Sequence, residues 1–244
     1  FVWVEARVPE PLLPPGLLKG RLRLLALGAI VLASAASAAA NFFLSLYLQQ
    51  VLGLSPLQAV LYFLPMLLIL GAGKVAGPWI SRSGPGRVAE AGLACTAAGL
   101  GLLGWWMGLS APGAAAPGPL LTPGLFLVPG LVLFPLGLGF TFAAAVVAAL
   151  EGVRSAEQGV AGGVVNTAME VGPTVGLAAL VTLSRLRAAA LWEGATPPPG
   201  AVAGGYAFAL WAASLFSLIL LGGFAAALRP SVGARADSPG SPRD

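Results

Sequence analysis

Histidine is missing from all 244 residues, and cysteine occurs once, at Cys95. Zinc and haem sites draw on clustered His and Cys ligands, so neither chemistry has the residues it needs. A single cysteine also excludes a disulfide framework within the chain. Charge is scarce too. Only 9% of residues are Asp, Glu, Lys or Arg, against about 25% in a soluble domain whose surface has to be wetted. Between Arg23 and Lys74 there is none at all. The apolar stretches hold neither a Ser-Lys pair nor paired carboxylates, which argues against an enzyme, and nothing points to a cofactor.

What is there is hydrocarbon. Hydrophobic residues make up 57% of the chain, and the mean hydropathy is +0.89. A bilayer core of about 30 Å is crossed by about 20 apolar residues of helix, so the uncharged run after Arg23 suffices for two crossings. The short alternating segments of a membrane β-barrel are not visible. These features predict an all-α membrane protein, a six-transmembrane-helix bundle embedded in a lipid bilayer.

The spans are predicted at Leu24–Leu52, Pro56–Ile80, Val88–Leu109, Leu125–Leu150, Gly159–Ser184 and Val202–Leu228. Gly53-Leu54-Ser55-Pro56 separates the first two: Gly ends a helix, Ser caps the next and Pro takes its first position. Residues 1–23 read as a charged, proline-broken cytoplasmic linker, 24–228 as the bundle, and 229–244 as a disordered polar cytoplasmic tail. Phe1 is not an initiator methionine and no signal peptide precedes the first span, so the chain reads as a piece of something longer.

The net charge of +4 and isoelectric point near 9.8 suggest no nucleic-acid partner, because the basic residues are scattered over helix ends rather than gathered in a stripe. Sorted by side, they set the orientation. Arg7, Lys19, Arg21, Arg23, Lys74, Arg82, Arg87, Arg154, Arg229, Arg235 and Arg243 fall on one side, and only Arg185 and Arg187 on the other. The excess of Lys and Arg on cytoplasmic loops then puts both termini in the cytoplasm. Trp105, Trp106, Tyr206 and Trp211 fall at predicted outer helix ends and Trp79 at an inner one, as interfacial aromatics do.

Polar residues inside a span face protein or a water-filled cavity. Ser34, Ser37, Asn41, Ser45 and Gln49 follow one another at steps of three and four along helix one and share a face. That face is either the wall of a solute pathway or a packing seam between helices. Helix four carries Pro129, Gly130, Pro135, Gly137, Gly139 and Thr141, the composition of a bendable span. In helix five, Gly159, Gly163, Asn166, Glu170 and Thr174 share one face, and Gly172 and Gly176 form a small-residue pair on the opposite one. Glu170 lies 11 residues from Gly159, about 16 Å along the helix and near mid-membrane. A carboxylate there costs several kcal/mol if charged and unpaired, so it is a candidate ion or substrate group. The alternative is a structural glutamate hydrogen-bonded by Asn166. No metal site is expected.

Four stretches carry a resemblance. Asn41–Gln58 (NFFLSLYLQQVLGLSPLQ) followed by Phe63–Met66 (FLPM), Pro11–Arg21 (PLLPPGLLKGR), Gly77–Val88 (GPWISRSGPGRV) and Glu157–Gly176 (EQGVAGGVVNTAMEVGPTVG) occur in the order and spacing of one group. They resemble the second half of the 14-helix drug:proton antiporters of the major facilitator superfamily. The third stretch is similar to the degenerate copy of that superfamily's G-x-x-x-D-R-x-G-R loop, with Gly77, Arg82, Gly84 and Arg87 at the matching positions. Ser81 stands where Asp is usual. In helix five the family pattern Asn-Thr-x-Arg-Gln-x-Gly-Gly is replaced around Met169, Glu170 and Pro173, so a basic residue is lost and a carboxylate gained.

The resemblance implies one half of a major facilitator fold, the C-terminal half of a proton-coupled efflux permease of the plasma or inner membrane. It further implies an N-terminal half of six to eight helices outside this chain, a small-molecule substrate and a proton as partners. Helices one and four would line the cavity, two and five would meet the other half, and three and six would face lipid. The competing expectation is a non-transporting membrane component that binds a partner. Pathway candidates are Glu170, Asn166, Thr174, Asn41, Ser37, Ser45, Gln49 and Thr141.

Overall fold

A computed structural model describes residues 20–109, 122–192, 194 and 196–228. The linker up to Lys19, most of the loop after helix three and the tail from Arg229 lie outside them. Six helices are long and apolar enough to cross a membrane, and no strand occurs among the described residues. They are α1 (Arg21–Val51), α2 (Pro56–Ser83), α3 (Pro85–Gly108), α4 (Thr122–Leu150), α5 (Ser155–Ala190) and α6 (Pro199–Leu228). Most start earlier than the apolar pattern suggests, because the charged or proline-bearing residues at their ends also adopt helical geometry. The largest extension is α5, which runs through Arg185 and Arg187 to Ala190.

Local chemistry sets the turns. Gly53 takes a positive φ of 68°. Ser55 then closes a reciprocal cap: its hydroxyl accepts from the Gln58 amide at 3.3 Å, and its own amide donates to Gln58 Oε1 at 2.9 Å. Two orphan donors at the start of α2 are thereby satisfied. Between α2 and α3 the chain reverses through Gly84 alone, at φ 82°, with Pro85 opening α3. At φ 82° and ψ 155°, a region that is essentially confined to glycine, an L side chain costs about 1–3 kcal/mol. Gly84→Ala is expected to lower thermal stability in detergent by that amount, although nothing lies within 4 Å of the added methyl.

α3 and α4 form the tightest contact. They run antiparallel with glycines set opposite larger residues: Gly92 against Thr141, Thr96 against Gly137, Gly99 against Phe134 and Leu103 against Gly130. Each step up α3 is matched by an equal step down α4, so the two axes stay in register over the whole seam. A Cβ placed on Gly137 would lie 2.3 Å from the Thr96 amide nitrogen, and one on Gly99 would lie 2.4 Å from that of Phe134. Without Cβ atoms the backbones approach closely, which is how helices gain dispersion contact in lipid. α4 itself runs unbroken through Pro129 and Pro135. The span that breaks is α2, where Tyr62–Leu67 passes through a turn and a 3₁₀ segment around Pro65.

α1 lies centrally, touching α4, α5 and α6. Phe43, Tyr47, Trp106, Met107, Phe134 and Leu210 pack one half of the core, and smaller residues such as Ala26, Ala29, Ala144 and Ala148 with Phe224 pack the other. Trp106 and Tyr206, expected at the membrane interface, turn inward instead: Trp106 meets Tyr47 at 4.6 Å between centroids and Tyr206 stacks on Phe43 at 5.1 Å. Trp79, Trp105 and Trp211 are exposed. α2 and α5 are the peripheral members. Of their most apolar stretches only 17% and 22% is buried, against 44%, 56% and 56% for α1, α3 and α4.

Candidate functional site

α5 presents the most distinctive surface. Its inner side carries Gly172 and Gly176, which sit on α1: a Cβ on Gly172 would lie 2.5 Å from the Val31 carbonyl oxygen, and one on Gly176 would lie 2.3 Å from Ala35 Cβ. Glu170 is two residues before Gly172, about 200° around a helix of 3.6 residues per turn, and so looks away from α1. Gly159, Gly163, Asn166, Thr167, Glu170 and Thr174 are all exposed. The Thr167 hydroxyl donates to the Gly163 carbonyl at 2.9 Å, and that of Thr174 donates to the Glu170 carbonyl. Both hydroxyls are thus tied to their own helix, and the Glu170 carboxylate keeps no hydrogen bond or ion pair with a described residue. The Asn166–Glu170 hydrogen bond of the alternative reading is not formed among the described residues. Thr167, which sequence reasoning passed over, belongs to the same stripe.

Inside α5, residues Gly172–Gly176 form a single π-helical turn. The extra residue in such a turn advances the register by one. Up to Gly172 the buried positions are Ala161, Val165, Ala168 and Gly172; beyond it they are Ser184 and Ala188, packed on Gly205 of α6. A regular helix would put Ser184 and Ala188 on the Glu170 face. The bulge instead turns the outer half of α5 toward α6 while its inner half keeps the polar stripe outward.

The polar set on α1 divides. Ser34 is buried beside Gly172, its hydroxyl donating to the Ile30 carbonyl at 2.8 Å, so it belongs to the packing seam. Ser37, Asn41 and Ser45 are half-buried and Gln49 is exposed. Asn41 Nδ2 donates to the Ser37 carbonyl at 2.7 Å, and Gln49 Nε2 donates to Ser45 Oγ at 2.9 Å. No hydrogen bond joins this set to the α5 stripe among the described residues. Thr141 stands apart from both. It is fully buried against Gly92, and neither its hydroxyl nor that of Thr96 has a hydrogen-bond partner. The open wall expected from α4 is therefore absent at Thr141, which lies in the α3–α4 seam.

α2 offers the second open face. Gly71, Gly73 and Gly77 meet nothing within 4 Å, and Lys74 lies exposed among them. Arg82 and Arg87 are exposed on either side of Gly84. Ser81 is held locally, its hydroxyl donating to the Pro78 carbonyl at 2.9 Å. At the same end of the bundle Arg23 donates to the Glu151 carbonyl at 2.8 Å, tying the start of α1 to the α4–α5 turn. Arg154 and Glu157 form an ion pair in that turn.

Six spanning helices and a tight turn at Gly84 between the second and third leave one comparison to decide the matter. The sequence profile of the Major Facilitator Superfamily matches residues 3–177. The chain belongs to the major facilitator superfamily. Its similar relatives include the cephamycin export protein CmcT of Amycolatopsis lactamdurans, 34% identical over 75% of this chain and 36% of the relative. The puromycin resistance protein of Streptomyces alboniger is 33% identical over 86% of this chain and 41% of the relative. The tetracenomycin C resistance and export protein of Streptomyces glaucescens is 32% identical over 77% and 33%. This facilitator chain thus spans between about a third and two fifths of the length of these three relatives. It is a multi-pass membrane protein of a transporter family, not an enzyme.

Proposed function

We propose that this chain supplies the C-terminal six-helix half of a proton-coupled permease that exports drug-like small molecules across the plasma membrane. The observation that carries the reading is Glu170, an exposed carboxylate near the middle of the 36-residue α5, on a face made of glycines and short polar side chains. Two further features support it. α2 and α5 leave faces uncovered by their own chain, as a half would if it rocks against a second half around a midplane site. The relatives are named for antibiotic export or resistance. The clustering of basic residues at the end that holds Arg21, Arg23, Arg82, Arg87 and Arg154 supports a reading with both termini in the cytoplasm.

The mechanism is antiport. Protonation removes the charge on Glu170 and lowers the cost of the state in which α5 is sealed against the other half. Release of the proton restores the charge and favours the state in which the face is wetted. The test is transport by the full-length protein in proteoliposomes, with puromycin and cephamycin as probes. Accumulation should follow an imposed pH gradient and collapse on adding a protonophore. A folded protein that moves neither probe under any gradient would favour a partner-binding membrane component instead.

A further inference from the structure

A second site lies at the opposite end of the bundle from the basic cluster. α1, the end of α5 and the start of α6 enclose a cavity of about 470 Å³, within the range of small-molecule pockets. Phe43, Trp192 and Tyr206 give it aromatic walls; Arg185, Ser184 and Gln50 give it polar groups. The two basic residues at this end have different situations. Arg187 is placed over the Phe208 ring, its guanidinium carbon 5.9 Å from the centroid. Arg185 lines the cavity and makes no ion pair or hydrogen bond with a described residue.

Depth supports access from water. Arg185 is 15 residues beyond Glu170, about 22 Å by helical rise. The half-thickness of a bilayer core is about 15 Å. Counted from the middle of α5, the guanidinium therefore stands at the membrane boundary, where its charge is tolerated and a ligand can arrive. A guanidinium offers a planar fork of donors suited to the two oxygens of a carboxylate or to a phosphate. The exposed Phe42 ring and Trp192 indole, beside the edge of the buried Phe43–Tyr206 stack, provide the apolar surface that an aromatic or lipid body needs.

We propose that this cavity binds an amphipathic anion, with one carboxylate or phosphate on Arg185 and an apolar body against Phe42 and Trp192. The site is built within one half and does not involve Glu170, so it stands or falls separately from proton-coupled transport. Two sources share this chemistry: a free aromatic acid and the headgroup of an anionic phospholipid.

The experiment is calorimetric titration of 2-naphthoate into the full-length protein in phosphatidylcholine nanodiscs, with the neutral 2-naphthamide as control. Naphthoate should bind at least tenfold more tightly than the amide, and Arg185→Gln should abolish that preference. Arg185→Lys, which keeps the charge but not the fork, should retain part of it and guards against a variant that merely misfolds. The titration is repeated in phosphatidylglycerol nanodiscs. Loss of naphthoate binding there assigns the site to lipid, and unchanged binding assigns it to the free acid; both carry the proposal. Equal binding of acid and amide, or a preference that survives Arg185→Gln, overturns it.

Discussion

Gly137→Ala should cost this protein up to about 2 kcal/mol of stability, while the same change at Gly73 should leave it equally stable or slightly firmer. Intrinsic helix preference works in favour of alanine at both positions, by about 1 kcal/mol. At Gly73 nothing opposes it, since no atom lies within 4 Å of the added methyl. At Gly137 the methyl would lie 2.3 Å from a backbone nitrogen and 2.8 Å from the Cys95 carbonyl carbon. A flexible side chain could move aside, but backbone cannot, so α3 and α4 have to separate. Overpacking of this kind costs about 1–3 kcal/mol. Because the seam is in register along its length, separation at one layer also loosens Gly99 on Phe134 and Gly130 on Leu103. Thermal unfolding of the two variants in detergent, followed by size exclusion, reads the opposite signs directly. Equal melting temperatures would mean that the seam tolerates separation.

The same glycines show what sequence reasoning left open. Helix four was read as bendable because it holds two prolines and three central glycines. Proline in a helix removes one hydrogen bond, but neighbouring helices can make good the loss in a membrane, and α4 stays continuous. Its glycines are there for contact: Gly130 and Gly137 face α3, and Gly139 faces Ala72 and Ile69 of α2. Composition gives the closeness of approach without saying which neighbour approaches. That is a pairing of distant segments, and a single sequence read by period does not contain it.

Features within one helix or one turn were legible. The six spans, the Ser55 cap and the shared face of Gly159, Gly163, Asn166, Glu170 and Thr174 follow from spacing alone, as does the placing of Gly172 and Gly176 on the opposite face. The resemblance carried by Asn41–Gln58 and Glu157–Gly176 likewise pointed to the superfamily to which the chain belongs. What spacing could not foresee was the π-helical turn at Gly172–Gly176. A 3.6-residue period assumes a regular helix, and one extra residue rotates everything after it by about 100°. Ser184 and Arg185 consequently sit on the α1–α6 side of α5, where they help to close the outer cavity. Arg185 entered the sequence reading only as a marker of orientation. Its aromatic surroundings come from α1 and α6, more than a hundred residues away for Phe43.

Replacing Glu170 by glutamine should abolish coupling to the pH gradient in the full-length protein while leaving substrate exchange at equal pH in place. Glutamine matches the size and hydrogen-bonding reach of glutamate but cannot gain or release a proton near neutral pH. Since the Glu170 carboxylate forms no hydrogen bond or ion pair with a described residue, the change removes no side-chain contact within the half, and the folded population should hold. A midplane carboxylate costs several kcal/mol when charged in hydrocarbon. A difference of that size between the charged and neutral forms is enough to move a two-state equilibrium through two or more powers of ten. The amide fixes the side chain in its neutral form, so both orientations remain accessible but no longer depend on protons. Uphill accumulation should therefore fall to the level of a protonophore-treated control, a loss of tenfold or more, whereas counterflow between labelled and unlabelled substrate should stay within about threefold. Glu170→Asp, which keeps the titrating group one methylene shorter, should recover part of the uphill transport. If Glu170→Gln concentrates substrate as well as the parent protein does, the proton is carried elsewhere, and the α5 stripe is left with contact to the other half as its role.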